Sequence, residues 1–134
     1  MSVEENLRRI EAANEAFNAH DWEGFFELYA ESVVFNGPDS PEPLKGRAVL
    51  REAAEGYAAA VPDLHVKTER LFGQGDWVCQ EYTLTGTQTG VLRGPDGETI
   101  PASNQPVRVR GCGTYRFEGG EIAEEYDYRW PSSA

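Results

Sequence analysis

The residue best suited to acid–base chemistry is Asp127, in the run Tyr126-Asp127-Tyr128-Arg129-Trp130. A carboxylate walled by Tyr126, Tyr128 and Trp130 is partly desolvated. Its pKa rises and it becomes a proton acceptor for a carbon acid or a water. The competing reading is a surface aspartate paired with Arg129 or with an arginine of a neighbouring strand. Arg110 is the candidate to hold an anionic or enolate oxygen, against the alternative of a structural ion pair. Asn36, Tyr82 and Gln88 are candidate donors to a substrate carbonyl. Trp22, Phe26, Tyr29, Tyr57 and Trp77 are core or pocket wall. Strand parity stands against Asp127: strict alternation puts Ile122, Glu124 and Tyr126 on one face and Asp127 on the other. A β-bulge would re-aim the strand.

Other chemistries have less support. His20 and His65 are the only histidines, far apart and without a ligand pattern, so no metal site is expected. Cys79 and Cys112 lack the paired spacing of a zinc site and are too few for a disulfide scaffold, so both are expected to stay thiols. No serine or cysteine has a recognisable histidine partner. Gly73-Gln74-Gly75 joins two strands instead of opening a helix, so it reads as a turn, as does Gly94-Pro95-Asp96-Gly97. With 12 Lys plus Arg against 23 Asp plus Glu, the formal charge of −11 repels phosphate backbones and anionic membranes. Neither nucleic acid nor a membrane is an expected partner. The first ten residues lack the apolar stretch of an export signal, and the expected compartment is the cytoplasm.

These residues must be positioned by a chain whose 134 residues suit one domain, residues 1–134. Leu7, Ile10, Ala13 and Phe17 recur at helical spacing and predict an amphipathic helix from Val3 to Ala19. Asp21 can cap a second, short helix through Trp22, Phe25, Phe26 and Leu28. Val33 to Phe35 reads as a strand stopped by Gly37-Pro38 and the proline-rich 40–43 segment. A third helix is expected over about Arg47 to Ala60. β-branched and aromatic residues then predict strands at Leu64 to Phe72, Trp77 to Thr87, Val107 to Phe117 and Ile122 to Trp130, joined as antiparallel hairpins. Gly90 to Asn104 reads as a loop at the mouth of the sheet. Helices followed by strands make the fold class α+β.

In order and spacing, several phrases resemble the SnoaL-like polyketide cyclase group of the NTF2-like superfamily. They are Ala60-Val61-Pro62-Asp63-Leu64, Thr85-Gly86-Thr87-Gln88-Thr89-Gly90, Pro106-Val107-Arg108-Val109-Arg110-Gly111, and Tyr115-Arg116-Phe117 through Gly120-Glu121-Ile122-Ala123-Glu124. The resemblance implies three N-terminal helices closing a highly curved, mostly antiparallel sheet into a cone. It also implies a cavity for a small, largely apolar molecule, an acidic residue near that cavity at Asp127, and a homodimer through the outer sheet face. Where the group often carries histidines, this chain has Asn36 and Gln88, which orient ligands but do not titrate. Aligned with the ketosteroid isomerases, another cone-fold group, their aspartate position falls on Gly37. The expected function is cofactor-independent proton-transfer chemistry of cyclase, isomerase or hydratase type. The alternatives are a non-catalytic small-ligand binder and a dimeric protein-interaction domain.

Overall fold

Helix α1 spans Val3–Asn18 and opens with a capping box: Ser2 Oγ accepts from the Glu5 amide at 3.2 Å while Glu5 Oε1 accepts from the Ser2 amide. Its buried stripe is Asn6, Ile10 and Ala13. The structure, a computed structural model, describes residues 2–93 and 97–131. Gly94-Pro95-Asp96, the body of an expected turn, therefore lies outside the described residues. Helix α2 (Trp22–Phe26) is capped by Asp21, whose Oδ1 accepts from the Gly24 amide at 3.0 Å. Strand β1 (Tyr29–Asn36) begins earlier than Val33, and the short β2 (Leu44–Lys45) folds back on it. Helix α3 occupies Arg47–Ala60, the expected span.

The second half of the described chain is mainly sheet. Strands β3 (His65–Gln74), β4 (Trp77–Thr87), β7 (Pro106–Glu118) and β8 (Glu121–Pro131) are the four expected, each within two residues at its ends. Gly90 to Asn104 is not wholly irregular, because β5 (Leu92–Arg93) and β6 (Thr99–Ile100) pair there as a small ladder. The main sheet runs β2-β1-β8-β7-β4-β3, antiparallel throughout except for the parallel contact of β1 with β8. Helix α1 lies across β3 and β4, and α2 bridges α1 to α3.

Two apolar clusters fill the cone. One gathers Ile10, Phe26, Tyr29, Val33, Leu50, Val78, Tyr115, Phe117 and Ile122; the other gathers Ala60, Val61, Leu64, Tyr82 and Leu84 under the C-terminal end of α3. At the rim of the first, Trp22 packs edge-on against Phe17 and Phe25. Edge strand β3 is tied to α1 by Asn18, whose side chain satisfies both the amide and the carbonyl of Val66. This arrangement is the α+β cone expected from the order of elements.

Candidate active site

The aim of the last strand decides which side chains enter the cone. The β7–β8 register shifts between Arg116 and Phe117: Phe117 faces Ile122 but Arg116 faces Glu124, so Ala123 is the extra residue of a β-bulge. Ile122 is buried before the bulge, and Glu125 and Asp127 are buried after it. Without that bulge, strict alternation along the strand would send both carboxylates to the opposite face from Ile122.

Asp127 is 7% exposed. Tyr82 donates to its Oδ1 at 2.7 Å, and Arg129 donates to its Oδ2 from Nη2 at 2.9 Å and from Nε at 3.2 Å. Arg129 Nε also reaches the Tyr82 hydroxyl at 3.1 Å, and Nη1 holds Asp39 Oδ2 at 2.9 Å. Tyr82 makes these contacts from β4, two strands away, because Gly111 lies between. A Cβ on Gly111 would sit 2.5 Å from the Tyr82 ring. Gly113 gives way to Tyr115 in the same manner.

Behind this group, Glu125 is 5% exposed and its Oε1 accepts from the Tyr29 hydroxyl at 2.8 Å. Tyr115 accepts from Gln80 Nε2 at 3.0 Å, and Gln80 Oε1 accepts from Thr68 and Asn14. No buried side-chain polar atom among the described residues lacks a partner.

The two carboxyl groups differ electrostatically. Burial raises the Asp127 pKa above the ordinary aspartate range, while Arg129 and the Tyr82 hydroxyl hold the rise back. Burial, and next the Asp127 charge, push Glu125 up to about 8, against the hydrogen bond from Tyr29. Burial works against the Arg129 charge, but Asp127, Tyr82 and Asp39 more than compensate and keep the guanidinium protonated. Burial, and then the carboxylates, raise the phenols of Tyr29, Tyr82 and Tyr115 and keep them neutral donors. At neutral pH the inner face thus holds a carboxylate paired with a guanidinium, next to a carboxylic acid that keeps its proton.

Asp127 reaches solvent through a cleft of about 320 Å³. It opens where β1 ends at Asn36, opposite Tyr126, and the 37–43 segment crosses the uncovered stretch of β8. Asn36, Pro38, Pro41, Pro43, Tyr128 and Arg129 are among its walls. A second hollow, of about 380 Å³, lies by the β7–β8 hairpin between Asn6, Asp76 and Arg116, and Asp127 is not among its lining residues.

The sequence candidates divide between the two faces of the sheet. Tyr82 touches Asp127, and Asn36 donates to the Glu125 carbonyl at 3.4 Å from the cleft wall. Tyr57 is half-buried against the second cluster, and burial raises its pKa while Arg129 and Asp39 also act on it. Phe26 is core and Trp22 is its rim. Gln88 is buried but fully used, donating to the carbonyls of Gly90 and Pro101 and accepting from Ser103, so it anchors the 99–105 segment.

Arg110 is a correction. It is exposed on the outer face with its guanidinium 5.3 Å from the Trp130 ring, and Arg129 takes the place beside Asp127. Trp77, Tyr126, Tyr128 and Trp130 are likewise outer-face residues, with Trp77 and Tyr126 in ring contact. The burial of Asp127 therefore comes from Tyr82, Arg129 and the cone interior, not from its aromatic neighbours in sequence. Arg129, Asp39, Glu125 and Gln80 were not singled out as site residues. Glycines two apart in a strand, as at 111 and 113, were the available signal, because they mark the close approach of another group.

Comparison with known proteins agrees with this architecture. The family model for SnoaL-like polyketide cyclase matches residues 8–129. Among solved structures, AclR from Streptomyces galilaeus, provisionally assigned as a hydroxylase, superposes with a TM-score of 0.82 at 22% identity, covering 96% of this chain and 91% of that one. IdmH from Streptomyces antibioticus, provisionally assigned as a polyketide cyclase, gives 0.77 at 22% identity over 92% and 91%. A SnoaL-like protein from Jannaschia sp. CCS1 gives 0.83 at 20% identity over 96% and 88%. No curated protein matches the chain.

Proposed function

The chain belongs to the SnoaL-like polyketide cyclase family, and from that premise we propose a small-molecule enzyme working by proton transfer, with the Asp127 carboxylate as its base. The observation that carries this reading is the bulge at Ala123, which turns Asp127 into the cone beside Arg129 and Tyr82 and below an open cleft. Oδ2 already accepts twice, whereas Oδ1 accepts only from Tyr82 and keeps a lone pair for a substrate proton.

In a cyclisation, Asp127 Oδ1 takes a proton from carbon next to a carbonyl. The C–H bond breaks, an O–H bond forms on the carboxyl, and the electron pair moves onto the carbonyl oxygen. Arg129 and the Tyr82 hydroxyl stand beside that developing charge. The enolate carbon then attacks a second carbonyl of the same molecule, and the Asp127 carboxyl returns its proton to the new alkoxide. Isomerisation uses the same first step with reprotonation at another carbon. No other reactant is consumed in either case.

The base must be ionised, so kcat/KM should rise with pH through a pKa above the 3.8 of an unperturbed aspartate. An enolisable aryl ketone is a suitable probe, followed by loss of its C–H signal in D2O. A rate independent of pH between 4 and 8, with the protein folded throughout, would exclude Asp127 as the base. The working form is a homodimer joined through the outer sheet face, where Phe72, Trp77, Tyr128 and Trp130 are exposed. Its ligand is a small, largely apolar molecule.

A further inference from the structure

Arg129, in the wall of the cleft, already holds a carboxylate of the protein itself on one of its nitrogens. Asp39, in the segment that crosses β8, places Oδ2 on Arg129 Nη1 at 2.9 Å. Nη1 is the one guanidinium nitrogen that Asp127 and Tyr82 do not use. The two carboxylates on Arg129 differ in kind: the Asp127 side chain is 6% exposed and that of Asp39 is 64% exposed. The first pair is fixed in the interior. The second is a solvent-screened contact of small worth, which another anion can replace.

The geometry points to Asp39 as a stand-in for the substrate: the ligand of this cleft carries an oxyanion that is ionised at neutral pH and takes the place of Asp39 on Arg129. The flanking walls select the remainder of that ligand. Pro38, Pro41 and Pro43 line the cleft together with Arg129, an apolar wall that suits a flat aromatic or conjugated body with its anionic group directed toward Arg129. A carboxylate and a strongly acidic enol share this chemistry. The inference rests on the reading of Asp127 as the base in the same cleft, and it makes Arg129 the specificity residue. An ion-pair exchange on Arg129 also places the reacting carbon near Asp127, since one guanidinium holds both groups.

The test uses binding alone, so it can fail while Asp127 remains the base. The probe is 2-naphthoate, with 2-naphthamide as its neutral isostere, titrated by ligand-observed NMR against the whole chain. The variants are Asp39→Asn, Asp39→Glu and Glu42→Gln. Asp39 and Glu42 are exposed in the same segment, so each variant should fold, and only the Asp39 changes touch Arg129.

Removing a screened competitor should tighten naphthoate binding by about 3- to 5-fold in Asp39→Asn. Asp39→Glu should bind like the parent, and naphthamide affinity should stay constant in all proteins. Equal tightening in Glu42→Gln would mean that only overall charge matters and would overturn the proposal. So would an unchanged naphthoate affinity in Asp39→Asn, or no naphthoate binding to any of the proteins. Repeating the titration with 2-hydroxy-1,4-naphthoquinone, an acidic enol, then distinguishes the sources. Tighter binding of the enolate than of naphthoate assigns an enolate ligand, and the reverse assigns a carboxylate.

Discussion

Single residues in the cone have consequences that can be measured by titration. Glu125 keeps its proton up to about pH 8 because it is buried and close to the Asp127 charge. In the unfolded chain it ionises near the ordinary glutamate value of 4.5. Its folded pKa is raised, so its contribution to stability is fully present below about 4.5 and is lost as pH rises toward 8. Urea unfolding of the parent and of Glu125→Gln should therefore diverge across that window, the parent losing roughly 1 kcal/mol more per pH unit. Parallel curves would show that Glu125 ionises freely in the folded protein. Cys79 and Cys112 lie with their sulfurs 3.4 Å apart, and burial together with Cys112 pushes the Cys79 thiol up to about 12. Both should react as free thiols after denaturation without reductant, and a count of zero would contradict this. Asp127 was legible as a candidate from its sequence surroundings, and its pairing with Arg129 as the competing reading, although the paired aspartate is buried and not at the surface. Arg129 shares its face two residues on, and Asp39 reaches it from 90 positions away, so no local pattern reveals that contact.

At the scale of elements, helix spacing and strand composition were enough to place α1, α3 and the four long strands, because both report directly on which face is buried. Alternation alone misassigns the inner face of β8 because the pattern assumes a period of two throughout, and one extra residue at Ala123 reverses it. The neighbouring strand carries a matching requirement. Tyr82 reaches Asp127 only because Gly111 has no side chain, and the strands place Tyr82, Gly111 and Arg129 in one row across the sheet. Gly111→Ala should force the Tyr82 ring aside at a cost of about 1–3 kcal/mol, the usual range for overpacking a filled core. Its denaturation midpoint should fall accordingly, and the pH dependence assigned to Asp127 should shift as the Tyr82 hydrogen bond is lost. An unchanged midpoint would mean that the ring has room to move.

For the whole molecule, the cone buries its polar group inside and leaves aromatic side chains on the outside of the same strands. Among the described residues no helix is long and apolar enough to cross a membrane. Phe72, Trp77, Tyr128 and Trp130 are exposed on the outer face, interleaved with Glu81, Arg110 and Arg116, on a chain of formal charge −11. Such a face is expected to be covered by a second copy. Light scattering should give twice the chain mass, and Tyr128→Glu combined with Trp130→Glu should give the monomer while leaving the helical and strand content unchanged. A parent protein that is monomeric at working concentration would contradict the dimer.

Proton abstraction by Asp127 is measured most directly as carbon–hydrogen exchange. An enolisable aryl ketone is incubated in D2O with the parent protein and with Asp127→Asn, and its C–H signal is followed by NMR, with circular dichroism confirming that both are folded. Asparagine keeps the shape but not the proton acceptor, so exchange should slow by about 10²-fold or more. A folded Asp127→Asn protein that exchanges the probe as fast as the parent would show that Asp127 is not the proton acceptor.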